Sequence, residues 1–129
     1  MRARLVRARD LLAEQLANDP EFRAEWERTT LARAVALAVL GYRTRHALSQ
    51  TQLAKQLGIR QPHVSRLELG EHNPTPEILQ RLASKLALRF VLEIAPSQGT
   101  VPPLPSGPVD HSEVVTADGV RITVSVSAA

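Results

Sequence analysis

The sequence predicts a mainly α protein with short β strands after the helices, and three observations carry that prediction. Up to about residue 88 the apolar residues recur at helical spacing, between cap residues and prolines placed where helices start. From residue 89 the period changes to alternation, in "RFVLEI" and again in "VRITVSV". Between those runs, residues 96 to 108 hold five of the nine prolines together with Gly99 and Gly107, the composition of an extended linker. A chain of 129 residues suits one compact core with attachments.

Each element has a local reason. Leu5, Ala8, Leu12 and Leu16 mark an amphipathic helix over residues 3 to 17, closed by Asn18, Asp19 and Pro20. Asp19 caps a second helix, with Pro20 at its first position and Glu21 where the helix dipole favours negative charge. Phe22 and Trp26, four apart, share one face of it. The Ala- and Leu-rich stretch from Leu31 to Ala47 is a third helix, separate from the second or continuous with it, and it tolerates Gly41 at some cost. Ser49 and Gln52 have the spacing of a capping box, so a fourth helix starts there and ends at Gly58. A fifth covers Gln61 to Leu69 and stops at Gly70. Thr75 and Pro76 open a sixth that runs to Leu86. Phe90, Leu92 and Ile94 share one face of a strand, and Asp118-Gly119 supplies a tight turn for a terminal hairpin whose apolar face is Val120, Ile122, Val124 and Val126. The expected organisation is an N-terminal helical extension (1–29), a central helical domain (30–88), a strand (89–95), a Pro-rich linker (96–110) and a C-terminal hairpin (111–129).

Composition excludes several function classes. Without cysteine there is no disulfide, thiolate metal site or cysteine nucleophile, which is compatible with a reducing cytoplasm. The basic start is interrupted by Asp10 and Glu14 and lacks the apolar segment of a signal peptide, so a cytoplasmic protein with no membrane association is expected. His46, His63, His72 and His111 lack metal-ligand spacing, and Ser65 near His63 lacks an orienting carboxylate. Neither metal nor cofactor nor enzymatic activity is expected.

The charge distribution says more than the total of +3. From residue 28 to residue 67 there is no Asp or Glu, while Arg28, Arg33, Arg43, Arg45, Lys55, Arg60 and Arg66 fall inside. That window takes seven of the 16 basic residues, leaving nine to face all 13 acidic ones elsewhere. A basic block in an otherwise acidic chain is the footprint of a polyanion-binding surface.

From Gln50 the spacing reads Gln50, Leu53, Ala54, Leu57, Gly58, Ile59, Val64 and Leu67, the pattern of a helix-turn-helix. Ala54 is small where the second helix crosses, Gly58 allows the turn, and the larger residues fill the shared core. With Val64 and Leu67 inward, Gln61, Pro62, Ser65 and Arg66 point outward together, beside His63 and with Arg60 at the mouth of the face. From Leu48 to Leu86 the chain resembles the Cro/cI-like (XRE) helix-turn-helix repressors, on the pattern "LSQ..LA..LG....VSR.E.G...P....L..LA..L". The resemblance implies a lambda-repressor-like domain of five helices over Leu31 to Leu88. It also implies that Gln50 and Asn73 meet phosphate, that Gln61, Pro62, Ser65 and Arg66 lie at base edges in the major groove, and that Arg43 pairs with Glu68. Arg60 departs from the Ser or Thr usual at the recognition-helix cap, and Glu71 stands where a basic residue is common.

A narrower resemblance, carried by "DPEFRAEWERT" ahead of the domain and a strand after it, is to HigA-type antitoxins. It implies a RelE/HigB-like mRNA-cleaving toxin as partner, met through Phe22 and Trp26, and repression of the chain's own operon at a palindromic double-stranded DNA operator. A homodimer would place its recognition helices about one DNA turn, roughly 34 Å, apart. Two other readings stay open: a stand-alone regulator without a toxin, and a toxin-binding module without significant DNA binding.

Overall fold

The structure, a computed structural model, describes residues 2–98, 109–116 and 118–129, and the side chains of residues 8–98, 113–116 and 118–129. Helices α1 (Arg2–Asn18), α2 (Pro20–Arg28), α3 (Thr30–Arg45), α4 (Gln50–Leu57), α5 (Gln61–Leu69) and α6 (Pro76–Leu86) precede strands β1 (Leu88–Pro96), β2 (Val109–Val115) and β3 (Val120–Ala128). The Pro-rich residues 99–108 and the side chain of His111 lie outside the described residues.

The expected helix starts are made by side-chain caps. Asp19 Oδ1 accepts from the Phe22 amide, Thr75 Oγ1 accepts from that of Ile78, and Ser49 and Gln52 close their capping box in both directions. Thr29 separates α2 from α3, so the two are not continuous. Gly58 and Gly70 end α4 and α5 at φ of 69° and 66°, in the left-handed region. At Gly70 space matters as well, because a Cβ would stand 3.4 Å from Ala36 Cβ and 3.6 Å from the Ala32 carbonyl oxygen.

The core forms around the small residues of α3. Ala34, Val35, Ala38 and Val39 meet Leu53, Ala54 and Leu57 of α4, Val64 of α5, and Leu82 and Leu86 of α6. Leu88, Val124 and Val126 join the same cluster from the sheet, with Phe90 and Ile122 packed against it. The span from Leu31 to Leu88 holds four helices where the resemblance implied five. The cause lies at Ala87, which takes φ of 52° and turns the chain out of α6 straight into the alternating run of β1.

The strands form one antiparallel sheet in the order β1-β3-β2, so the hairpin returns to its own chain. Phe90 lies opposite Val126, Leu92 opposite Val124 and Ile94 opposite Ile122. As the middle strand, β3 is covered on its other face too, and Ser125 is 1% exposed. The hairpin turn differs from expectation. Asp118 does not take the positive φ that a two-residue Asp-Gly turn requires; Gly119 alone does, at 81°. The turn instead runs from Thr116, whose carbonyl accepts from the Gly119 amide at 3.0 Å.

Candidate nucleic-acid interface

Helices α4 and α5 pack through Leu53, Ala54, Leu57, Val64 and Leu67, all buried. That packing turns the other side of α5 outward: Gln61, Pro62 and Arg66 are exposed, and His63 and Ser65 half-buried. Arg60 occupies the cap position in an extended conformation and makes no side-chain capping bond, so its guanidinium stands clear at the start of the helix. Leu69, four residues beyond Ser65, adds an apolar surface, 62% exposed, that sequence reading leaves out. Another residue missed from sequence is Arg81, on α6. Its Nη1 donates to the carbonyl oxygen of Gly58 at 3.0 Å and to that of Leu57 at 3.4 Å, bracing the turn between α4 and α5.

Gln50 and Gln61 are brought together by a chain of hydrogen bonds. Gln61 Nε2 donates to Gln50 Oε1 at 2.6 Å, and Gln50 Nε2 donates to Glu68 Oε2 at 3.5 Å. Glu68 in turn receives a two-pronged grip from Arg43, Nε to Oε1 at 2.7 Å and Nη2 to Oε2 at 3.0 Å. Glu68 is only 6% exposed at its side chain, so its charge depends on that pairing. The hydrogen bonds that Arg43 donates to Glu68 hold its guanidinium above its ordinary pKa. The ion pair thus spans α3 and α5, and Gln50 and Gln61 are mounted on it as a preoriented pair of amides.

Other predicted residues are spent within the fold. Asn73 Oδ1 accepts from the Ala32 amide at 3.0 Å while its Nδ2 donates to the Arg28 carbonyl at 2.7 Å, so both ends of the amide face the α2–α3 junction. Of the seven basic residues in the acid-free window, three are engaged: Arg43 by Glu68, Arg28 by Glu25, and Arg33 by the Trp26 ring, 3.6 Å from its centroid. Burial lowers the pKa of Arg33. Arg45, Lys55, Arg60 and Arg66 stay exposed, and of these Arg60 and Arg66 belong to the start and the outer face of α5.

On the arm, the rings of Phe22 and Trp26 lie 6.1 Å apart and tilted by 34°, both half-buried. Arg33 of α3 covers part of the pair. No group of three or more His, Asp or Glu that could hold a metal ion occurs among the described residues. None of the described helices is long and apolar enough to cross a membrane.

Two short helices around a glycine turn, the second presenting a polar outer face, form a helix-turn-helix arrangement, and residues 42–91 match the family described as "Helix-turn-helix". The chain is also similar in sequence to HigA antitoxins. It is 40% identical over 85 residues to Antitoxin HigA1 of Mycobacterium tuberculosis, both in strain CDC 1551 / Oshkosh and in strain ATCC 25618 / H37Rv. The alignment covers 64% of this chain and 57% of each relative, so it spans little more than half the length of those proteins. No solved structure gives a significant match.

Proposed function

We propose that the chain is a sequence-specific DNA-binding repressor, the antitoxin of a type II toxin–antitoxin pair, which binds a palindromic operator of its own operon as a homodimer and neutralises a RelE/HigB-like mRNA-cleaving toxin. The observation that carries the DNA reading is the outer face of α5. It offers Gln61, Pro62, Ser65 and Arg66 to a major groove, with Arg60 at its start and His63 beside it. Arg66 suits a guanine edge and Gln61 an adenine edge, since each can form paired hydrogen bonds there. Gln50, at the first turn of α4, keeps Gln61 on its Oε1 and meets phosphate by exchanging the 3.5 Å contact of its Nε2 with Glu68 for a phosphate oxygen. With both ends of its amide occupied, Asn73 enters this reading as a brace for the loop beside the DNA. The antitoxin reading draws on the HigA-type sequence, and Phe22 and Trp26 on α2 are the arm's aromatic surface for the toxin.

A binding-site selection tests the DNA reading. Arg66→Ala should cost about 1–3 kcal/mol and relax the base preference at one position, whereas Gln50→Ala should weaken all sequences alike. With six or more phosphates contacted per dimer, log affinity should fall against log salt with a slope of about −5 or steeper. A flat salt dependence, or an unaltered preference in Arg66→Ala, counts against it. Co-purification with an RNA-cleaving toxin, lost when Phe22 and Trp26 are both changed to Ser, tests the arm.

A further inference from the structure

The outer edge of β1 reads the same in both directions. In the β1–β3 ladder, the Ala129 amide donates to the Ala87 carbonyl and the Ser97 amide donates to that of Gly119. Antiparallel pairs alternate between bonded and non-bonded. The odd-numbered residues of β1 therefore spend their backbone groups on β3, and Phe90, Leu92 and Ile94 direct theirs to the outer edge, beyond which no described strand lies. The strand also runs off its own core. Leu88 is 8% exposed and Phe90 half-buried, while Leu92 and Ile94, on the same face, are 49% and 64% exposed. On the opposite face Val91 is 41% exposed, flanked by Arg89 and Glu93, neither of which has an ion-pair partner among the described residues.

We propose that a second copy of this chain adds to this edge as an antiparallel strand, with Val91 opposite the partner's Val91. The inference rests on the dimeric reading given above and is independent of the DNA and toxin readings. A two-fold axis through Val91 places Arg89 opposite the partner's Glu93 and Glu93 opposite the partner's Arg89, so both charges find opposite partners. Moving the axis by one residue either way sets Arg89 against Val91 or Ala95, and moving it to Glu93 sets two carboxylates face to face. The same axis puts Phe90 opposite the partner's Leu92, so the outward backbone groups of each pair bond one another. It also lays the covered half of one β1, Leu88 and Phe90, beside the exposed half of the other, Leu92 and Ile94. Each copy's helical core then extends over the apolar surface that its partner leaves bare, and the continuous sheet removes two exposed strand edges.

The chain of 129 residues tests this, because it has no cysteine. Val91→Cys should cross-link to itself under mild oxidation and run as a covalent dimer on a non-reducing gel, since the axis sets these residues as a close non-bonded pair. Leu69→Cys, exposed on α5, should stay monomeric at the same concentration. By sedimentation equilibrium, Arg89→Glu and Glu93→Arg should each weaken the dimer about tenfold, and the two together should restore it to within about threefold. A dimer that Val91→Cys fails to lock and that ignores both charge reversals overturns this register but leaves the dimeric reading standing. A chain that sediments as a monomer throughout overturns both, whatever its affinity for DNA.

Discussion

The helix-turn-helix and the N-terminal arm follow opposite rules of construction. From α3 to α6 the inward positions are closed: Val35, Val39, Leu53, Leu57, Val64 and Leu82 are each no more than 1% exposed. Helix α2 buries no residue, and Leu11 on α1 is 65% exposed. The arm is held by its Asp19 cap, by the exposed pairs Arg23–Glu27 and Arg28–Glu25, and by Arg33 over Trp26. Surface pairs of that kind contribute only a few tenths of a kcal/mol each. The contrast teaches that the helix-turn-helix half holds its shape through a core of its own, whereas the arm has little buried surface of its own to hold it.

Several substitutions would break or sharpen that contrast. Leu53→Ala, at the closed centre, should cost about 2–5 kcal/mol in urea denaturation followed by circular dichroism. Gly70→Ala should cost about 1–2 kcal/mol, because it forces a side chain into a left-handed conformation against α3. Removing residues 1–18 should change the stability of the remainder by less than about 1 kcal/mol and leave operator affinity intact. A truncated chain that is already unfolded without denaturant would instead place α1 in the core. Ala87→Gly should move the other way and stabilise the chain by up to about 1 kcal/mol, since it relieves a positive φ.

The smallest expected effect is electrostatic. The Thr116 hydroxyl donates to Asp118 Oδ1 at 2.6 Å and holds that carboxyl below the ordinary range. A carboxylate depressed in the folded state stabilises above its unfolded pKa, about 4, and loses that contribution as pH falls through the folded value. The difference in melting temperature between the natural chain and Asp118→Asn should accordingly be present at pH 6 and close in acid. A difference that grows in acid would contradict the assignment.

Much of the fold was legible because its signals are local. A capping box closes over three residues, and Ser49 and Gln52 announce one without help from the rest of the chain. Glycines at the ends of α4 and α5 are equally self-contained. The outward face of α5 followed from Val64 and Leu67, two inward residues three apart. What sequence reading missed is non-local. Arg81 and Asn73 act on backbone 23 and 41 residues away, and nothing in their neighbourhood marks the partner. A charge count treats Arg33 as a surface cation, although it lies on an aromatic ring, and the pairing of Arg43 with Glu68 was legible only through the family resemblance. The left-handed Ala87 left no trace either, because alanine is the residue least suspected of that conformation.

Asn73 has a consequence for the order in which the chain folds. The Ala32 amide is one of the orphan donors in the first turn of α3, and Thr29 supplies no side-chain cap there. Its acceptor is Asn73, 41 residues further on, in the connection between α5 and α6. The first turn of α3 therefore gains its cap only after a loop of that length has closed, an entropic cost that local capping avoids. Helix α4 closes its cap within three residues, whereas the cap at the start of the longest core helix waits on the 41-residue closure. Φ-value measurements at Asn73 should reflect this timing with values near zero, the mark of a contact formed after the folding barrier has been crossed.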